Sequence, residues 1–210
     1  KERRVRPPVA LTAKAGAFSA PDADILVDLT SCEQTGLLLS RKSLEEGRPV
    51  ITANKLVAGK HLALLERLAF EQGTTFLYSA SVGGGTPALE TVRLAAVHGD
   101  IVRIDAILNG TVNFLLDQIA LGSPDALALQ RAQSAGFAEE DPGQDLAGRD
   151  AELKLKIIAA QVIGPERLVP ISVQSLDGIL LHDIAASGER WIQHSSLVFE
   201  RSGVRGAVRI

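Results

Sequence analysis

Apolar and polar positions fall into alternating blocks along this chain. After Asp24 a short apolar run, ILVDL (25–29), leads through Thr30 and Ser31 into a stretch whose Leu37, Leu38, Leu39 and Leu44 recur at helical spacing. This predicts a buried strand feeding a helix. The unit then repeats. PVITA (49–53) reads as a second buried strand, VAGKHLALLERLAFEQG (57–73) as a helix closed by Gly73, and TTFLYSA (74–80) as a third strand. Strand, helix, strand, helix, strand predicts a parallel sheet with right-handed crossovers.

The texture changes after SVGGGTP (81–87). Helices are expected near 88–97, 113–120 and 124–135, with an alternating strand, IVRIDAIL, at 101–108. DLAGRDAELKLKIIAAQVIG (145–164) predicts one long helix, because Leu146, Leu153, Ile157, Ile158 and Gln161 share a stripe and Gly164-Pro165 ends it. A hairpin follows at SSLVFERSGVRGAVRI (195–210), with Ser202-Gly203 as its turn. Residues 1–23 read as a basic, irregular lead-in broken by Pro7, Pro8 and Pro21.

Composition narrows the classes. The 210 residues are 46% hydrophobic, enough for a substantial core and against disorder. A net charge of −3 speaks against nucleic acid and anionic membrane as partners. No apolar run reaches the roughly 18 residues of a membrane span. The single cysteine, Cys32, fits a reducing cytoplasm and reads as a small buried thiol. The four histidines, His61, His98, His182 and His194, lack metal-ligand spacing.

Three places carry candidate chemistry. Gly83, Gly84 and Gly85 could bring backbone close to a ligand or could simply make a flexible turn, and no G-x-G-x-x-G fingerprint occurs in the chain. Lys55 follows the second strand, at the carboxyl end where open α/β sheets bind ligands, although location alone favours a solvated lysine opening the next helix. In AEEDPGQDLAGRDAELK (138–154), Asp141 and Asp145 can be helix caps, while Asp150/Lys154 and Glu152/Lys156 are both i, i+4 pairs. The apolar stripe flanks Asp150 and Lys154, so that pair is expected to be the desolvated one.

These residues resemble the homoserine dehydrogenase family. AQSAGFAEEDPGQDLAGRDAELK (132–154) is similar to that family's signature, with Ala132, Gly136, Asp141-Pro142, Asp145-Leu146, Gly148, Asp150 and Lys154 at its fixed positions. VDLTS (27–31), PVITANK (49–55), SVGGGTP (81–87), ILNGTVNFLL (107–116) and PISVQSL (170–176) agree in order. The resemblance implies an α/β fold, a partial Rossmann-like parallel sheet within a nucleotide-binding domain over 1–80, and an α+β substrate-binding and dimerisation domain over 81–210. It implies an NAD- or NADP-dependent oxidoreductase interconverting L-aspartate 4-semialdehyde and L-homoserine in threonine and methionine biosynthesis, working as a cytoplasmic homodimer. An edge of the 101–108 strand could pair across its two-fold axis.

Residue roles follow from the same resemblance. Lys154 would be the proton donor, with Lys55 beside the nicotinamide. Glu139 and Asp150, with Asn109, Gly110 and Thr111, would bind substrate. Thr30, Ser31, Asn54, Lys55, Ser81, Gly83, Gly136 and Glu139 would contact the cofactor. A sodium ion would take backbone carbonyls of Val82, Gly84 and Thr86, although Ser79 stands where the family usually has an acid. The phosphate-cradling glycine turn that should precede residue 24 has no counterpart in the lead-in. The competing expectations are a catalytically inactive truncated homologue serving as a binding or dimerisation module, and a sister dehydrogenase acting on another amino-acid aldehyde.

Overall fold

The computed structural model describes residues 23–138, 141–167, 169–176, 184 and 186–210. Residues 1–22 of the lead-in, His182 and Glu139 lie outside the described residues. The fold is mixed α/β, and its first part follows the sequence pattern. Strands β1 (Leu26–Asp28), β2 (Val50–Thr52) and β3 (Phe76–Leu77) pair in parallel in that order, with helices α1 (Glu33–Glu45) and α2 (Lys55–Glu71) between them. On one face Val50 and Phe76 are buried among residues of α1 and α2, including Leu44, Val57 and Leu65. The other face carries an in-register row of exposed side chains, Val27, Ile51 and Leu77.

The third strand is shorter than 74–80, because a 3-10 turn at Ser79–Ser81 takes over its carboxyl end. There the Ser81 Oγ donates to the carbonyl of Tyr78 at 2.6 Å. A side-chain bond back to the strand thus competes with extension.

Helix α3 (Ala88–His98) leads to a four-stranded sheet ordered β4 (Arg103–Ala106), β6 (His194–Glu200), β7 (Gly203–Arg209), β5 (Ile171–Val173). The expected hairpin is β6–β7, antiparallel in the register Glu200↔Gly203. Among the described residues strand β4 pairs with β6 alone and forms one edge, while β5 lies parallel to β7 at the other. Helices α4 (Gly110–Ala120) and α5 (Asp125–Ser134) enclose a smaller core with Val112, Leu116, Ala128 and Ile184.

The helix expected over 145–164 is two helices, α6 (Gly143–Leu146) and α7 (Arg149–Ile163). Gly148 separates them with φ of +73°, a left-handed conformation that side chains avoid, and a Cβ there would lie 2.7 Å from Val173. The break re-aims α7 so that Ile157, Ile158 and Leu155 join the main core with Leu197 and Val208 of the second sheet. Helices α2 and α7 pack closely, since a Cβ on Gly59 would meet Leu153 at 2.8 Å. No helix among the described residues is long and apolar enough to cross a membrane.

Candidate active site

The carboxyl ends of β1 and β2 are joined by the Ala53 amide donating to the Asp28 carbonyl at 3.0 Å and then fastened by side chains. Asp28, 2% exposed, accepts from the Thr30 amide at 2.9 Å, the Thr30 hydroxyl at 2.7 Å and the Thr52 hydroxyl at 2.9 Å. Thr52 Oγ1 in turn accepts from the Asn54 amide at 2.9 Å. Asn54 is the N-cap of α2: its Oδ1 accepts from Leu56 and Val57, leaving Nδ2 to donate to Thr30 Oγ1 at 3.3 Å and to the Cys32 carbonyl at 3.1 Å. Lys55 is therefore the first residue of a firmly capped helix.

Its ammonium is hydrogen-bonded to Oδ1 of Asp150 in the first turn of α7. Asp150 is almost wholly buried, and its second oxygen accepts from Lys154 Nζ at 2.8 Å and from Asn109 Nδ2 at 3.1 Å. Burial alone would raise the Asp150 pKa. The charge and hydrogen bond of Lys154, with those of Lys55, outweigh it and hold the carboxyl below its ordinary range. Lys154 Nζ also donates to the carbonyl of Leu108 at 2.7 Å. An ammonium has three donors, so one N–H of Lys154 is left for a ligand among the described residues.

Asn109 ties the cluster to α4. Its Oδ1 accepts from Val112 N at 2.8 Å as the α4 N-cap, and its Nδ2 also reaches Asp145 at 2.8 Å. Asp145 thus serves Asn109 through its side chain, whereas Asp141 accepts from Gly143 N at 3.0 Å as a local turn cap. Gly110 opens α4 beside Asn109, and the Thr111 hydroxyl donates to the carbonyl of Phe137, one residue past Gly136. The two lysine–acid pairs of α7 separate clearly: Lys154 is 18% exposed on Asp150, whereas Lys156 is 41% exposed on Glu152.

The structure therefore gathers these residues in two hydrogen-bonded groups, Thr30 with Asn54, and Lys55, Lys154 and Asn109 on Asp150, joined through the Asn54–Lys55 peptide at the ends of β1, β2, α4 and α7. Ser31 lies exposed at the same edge of β1. Ser81 and Gly83 bond within the 78–86 turn. Val82 is buried there, while Gly84 and Thr86 are exposed, and Ser79 is hydrogen-bonded to Glu90 of α3. Among the described residues no group of three or more His, Cys, Asp or Glu could hold a metal.

Cys32 is exposed, not buried as its residue type suggested. It caps α1 at the open edge of the sheet, and hydrogen bonds from Thr35, chiefly its side chain, lower its pKa. Sequence reasoning also missed Asp28, the acceptor on which the β1–β2 edge depends. An acid closing the apolar run ILVD was the available signal, since buried carboxylates occur only with partners.

The exposed hydroxyls at the end of β1 and the half-exposed Lys55 lie at the carboxyl edge of a parallel sheet, the place where such sheets bind ligands. Comparison with known proteins agrees in kind. A family model described as homoserine dehydrogenase matches residues 87–195, from the start of α3 into β6. The NAD(+)-dependent homoserine dehydrogenase of Pseudomonas canavaninivorans is 34% identical over 167 residues, which are 77% of this chain and 47% of that protein. A homoserine dehydrogenase structure from Thiobacillus denitrificans superposes with a TM-score of 0.79 at 27% identity, covering 90% of this chain and 45% of that one. A hyperthermophilic archaeal homoserine dehydrogenase in complex with NADPH superposes with a TM-score of 0.76 at 25% identity, covering 89% and 55%. The chain spans a third to a half of the length of the curated relatives it matches. With over half of its residues inside the family match, and with the bonded lysines and aspartate of α2 and α7 at the centre of its fold, this chain belongs to the homoserine dehydrogenase family.

Proposed function

We propose that the protein is an NAD(P)-dependent homoserine dehydrogenase, reducing L-aspartate 4-semialdehyde to L-homoserine and running the reverse reaction. The observation that carries this reading is the buried Asp150 with Lys154 and Lys55 on its two oxygens, at the carboxyl edge of a parallel sheet. Reduction of an aldehyde builds negative charge on oxygen, which a positioned ammonium both stabilises and protonates. Lys154 has the donor for that step. Held by Asp150 and the Leu108 carbonyl, its Nζ passes one proton to the substrate oxygen and is left as an amine to be reprotonated from solvent.

A bound nicotinamide dinucleotide supplies the hydride. Lys55, on the sheet side of Asp150, orients the group that faces it, with Thr30, Ser31, Asn54, Ser81, Gly83 and Gly136 as the remaining cofactor contacts. Asp150 and Glu139 hold the substrate ammonium, with Asn109, Gly110 and Thr111 lining the same pocket. A substrate ammonium arriving at Asp150 shares its carboxylate with Lys55, which is 41% exposed and the more easily displaced lysine. The first sheet, within residues 1–80, is the nucleotide-binding part, and 81–210 is the substrate and dimerisation part. Sodium, where bound, takes the carbonyls of Val82, Gly84 and Thr86 beside the Ser79–Glu90 pair.

The homodimer rests on the outer edge of β4, unpaired among the described residues, and on neighbouring exposed apolar side chains, Val102 and Ile107 flanking that strand and Leu94 and Val97 on α3. Sedimentation of the protein and of Val97→Asp tests it, and a wild-type monomer at micromolar concentration counts against it. The cytoplasm is the proposed compartment, in keeping with one unpaired cysteine. Activity is tested by following NADH and NADPH oxidation with aspartate semialdehyde in wild type and Lys154→Ala. Turnover lost only in the variant supports the assignment. Equal turnover in both removes Lys154 as proton donor, and none in wild type, with no dinucleotide binding, favours a binding or dimerisation module.

A further inference from the structure

We propose that the Asp28 carboxylate fixes the polarity of the Thr30 hydroxyl, so that the end of β1 presents a hydrogen-bond acceptor selecting a nicotinamide with a primary carboxamide over one whose ring substituent has no N–H. The proposal rests on the cofactor reading above and names a residue, Asp28, outside the groups assigned to it.

A threonine hydroxyl has one proton and two lone pairs, and left alone it rotates to suit its neighbour. Here the proton has a destination. Asp28 Oδ1 lies 2.7 Å from Thr30 Oγ1 and also takes the Thr30 amide at 2.9 Å, so residue 30 is gripped by main chain and side chain together. The second Asp28 oxygen is occupied by the Thr52 hydroxyl at 2.9 Å. The rival acceptor, the Cys32 carbonyl, is 3.5 Å from Thr30 Oγ1 and already receives Asn54 Nδ2 at 3.1 Å. A short bond to a carboxylate is roughly twice as strong as one between neutral groups, so the proton points inward to Asp28.

One lone pair of Thr30 Oγ1 faces Asn54. The orientation of that amide is set by its Oδ1, which caps Leu56 N and Val57 N, so the group 3.3 Å from Thr30 is Nδ2, a donor. Thr30 is an exposed residue, and the remaining valence of its hydroxyl oxygen is a lone pair. It accepts and does not donate. The edge is thus chemically divided, with an acceptor at Thr30 and donors at Lys55. Asp28 acts through Thr30 as a positioning residue.

Dissociation constants for NADPH and for its reduced 3-acetylpyridine analogue, in which a methyl ketone replaces the carboxamide, test this by fluorescence titration. Wild type is expected to favour the carboxamide roughly two- to tenfold, the range of one net hydrogen bond. Thr30→Val, a change at an exposed position, abolishes that preference, Thr30→Ser keeps it, and Asp28→Ala, which removes the acceptor that holds the hydroxyl proton, lowers it. Thermal melts confirm that each variant is folded, and Thr30→Val alone decides the matter if Asp28→Ala is not. A preference undiminished in folded Thr30→Val overturns the proposal and leaves the cofactor reading standing. Binding of neither dinucleotide by wild type overturns both.

Discussion

Helices α2 and α7 lie side by side, and polar contacts join them at two levels that differ in kind. At their N-terminal ends Lys55, Asp150 and Lys154 form a charged cluster in which one Lys154 N–H is unused among the described residues. Farther along, Tyr78, 3% exposed, donates its hydroxyl to Glu66 of α2 at 2.7 Å and accepts from Gln161 of α7 at 3.1 Å. Arg93 of α3 closes that second group, bonding Gln161 at 2.5 Å and lying 5.3 Å from the Tyr78 ring centroid. Both join the helices through a buried polar group. The first leaves hydrogen-bonding capacity facing outward, whereas the second turns its capacity inward on the protein. Chemistry and stability are thereby assigned to different levels of one helix pair, and substitutions should separate them.

The largest separation is expected at Lys154. Lys154→Ala should lower kcat by about 10²–10⁴, as loss of a proton donor does, far more than the stability it costs by leaving the buried Asp150 to Lys55 and Asn109. A kcat within a few-fold of wild type would erase the functional half of the contrast. Asp150→Ala should lose activity and also destabilise the fold by up to about 3 kcal/mol, because it strands two ammoniums. The cost stays below that of a sealed pair because Lys55 is 41% exposed, and urea unfolding measures it.

Tyr78→Phe should do the opposite. It removes the hydroxyl that Glu66 accepts from and that Gln161 donates to, leaving Gln161 its bonds to Arg93 and the Ile157 carbonyl, and should cost about 1–2 kcal/mol in urea unfolding while leaving kcat unchanged. The two levels should also differ in pH response. Asp150 titrates lower in the folded chain than the roughly 3.9 of a free aspartate, so its contribution is full above that value and fades as pH falls through the folded pKa. Tyr78 is raised above about 10, chiefly by burial and then by its bond to Glu66, so its contribution is full below pH 10 and fades as pH rises toward the folded pKa. Denaturant melts across both ranges should show the alkaline loss vanish in Tyr78→Phe and the acid loss shrink in Asp150→Asn. The smallest effect belongs to Lys156→Ala, whose partly exposed pair with Glu152 should cost under about 0.5 kcal/mol and no turnover.

Much of this was legible in the residues. The alternation of apolar runs and helical stripes located β1, α1, β2 and α2 to within a few positions, because both periods are local properties of the backbone. The i, i+4 spacing offered Asp150 with Lys154, and the flanking stripe favoured it over Glu152 with Lys156. Local signals failed where a side chain outbid a regular pattern. Ser81 turned the expected end of β3 into a 3-10 turn, and Gly148, tight against Val173, split one helix into two. Cys32 failed differently: residue type favours burial, but its place at the open edge of the sheet left it exposed.

By itself, then, the sequence determined the order of elements, the parallel first sheet and the group of acids and lysines from which the site is drawn. Only the tertiary structure decided which of them meet. Lys55 and Asp150 are 95 positions apart, and Lys154 and the Leu108 carbonyl 46. Periodicity relates residues within a turn or two of one helix, whereas those contacts depend on how closely two helices approach and where each is capped. That distance is set by Gly59 against Leu153, and the caps by Asn54, Asn109 and the left-handed Gly148, features whose consequence appears only once the chain is packed.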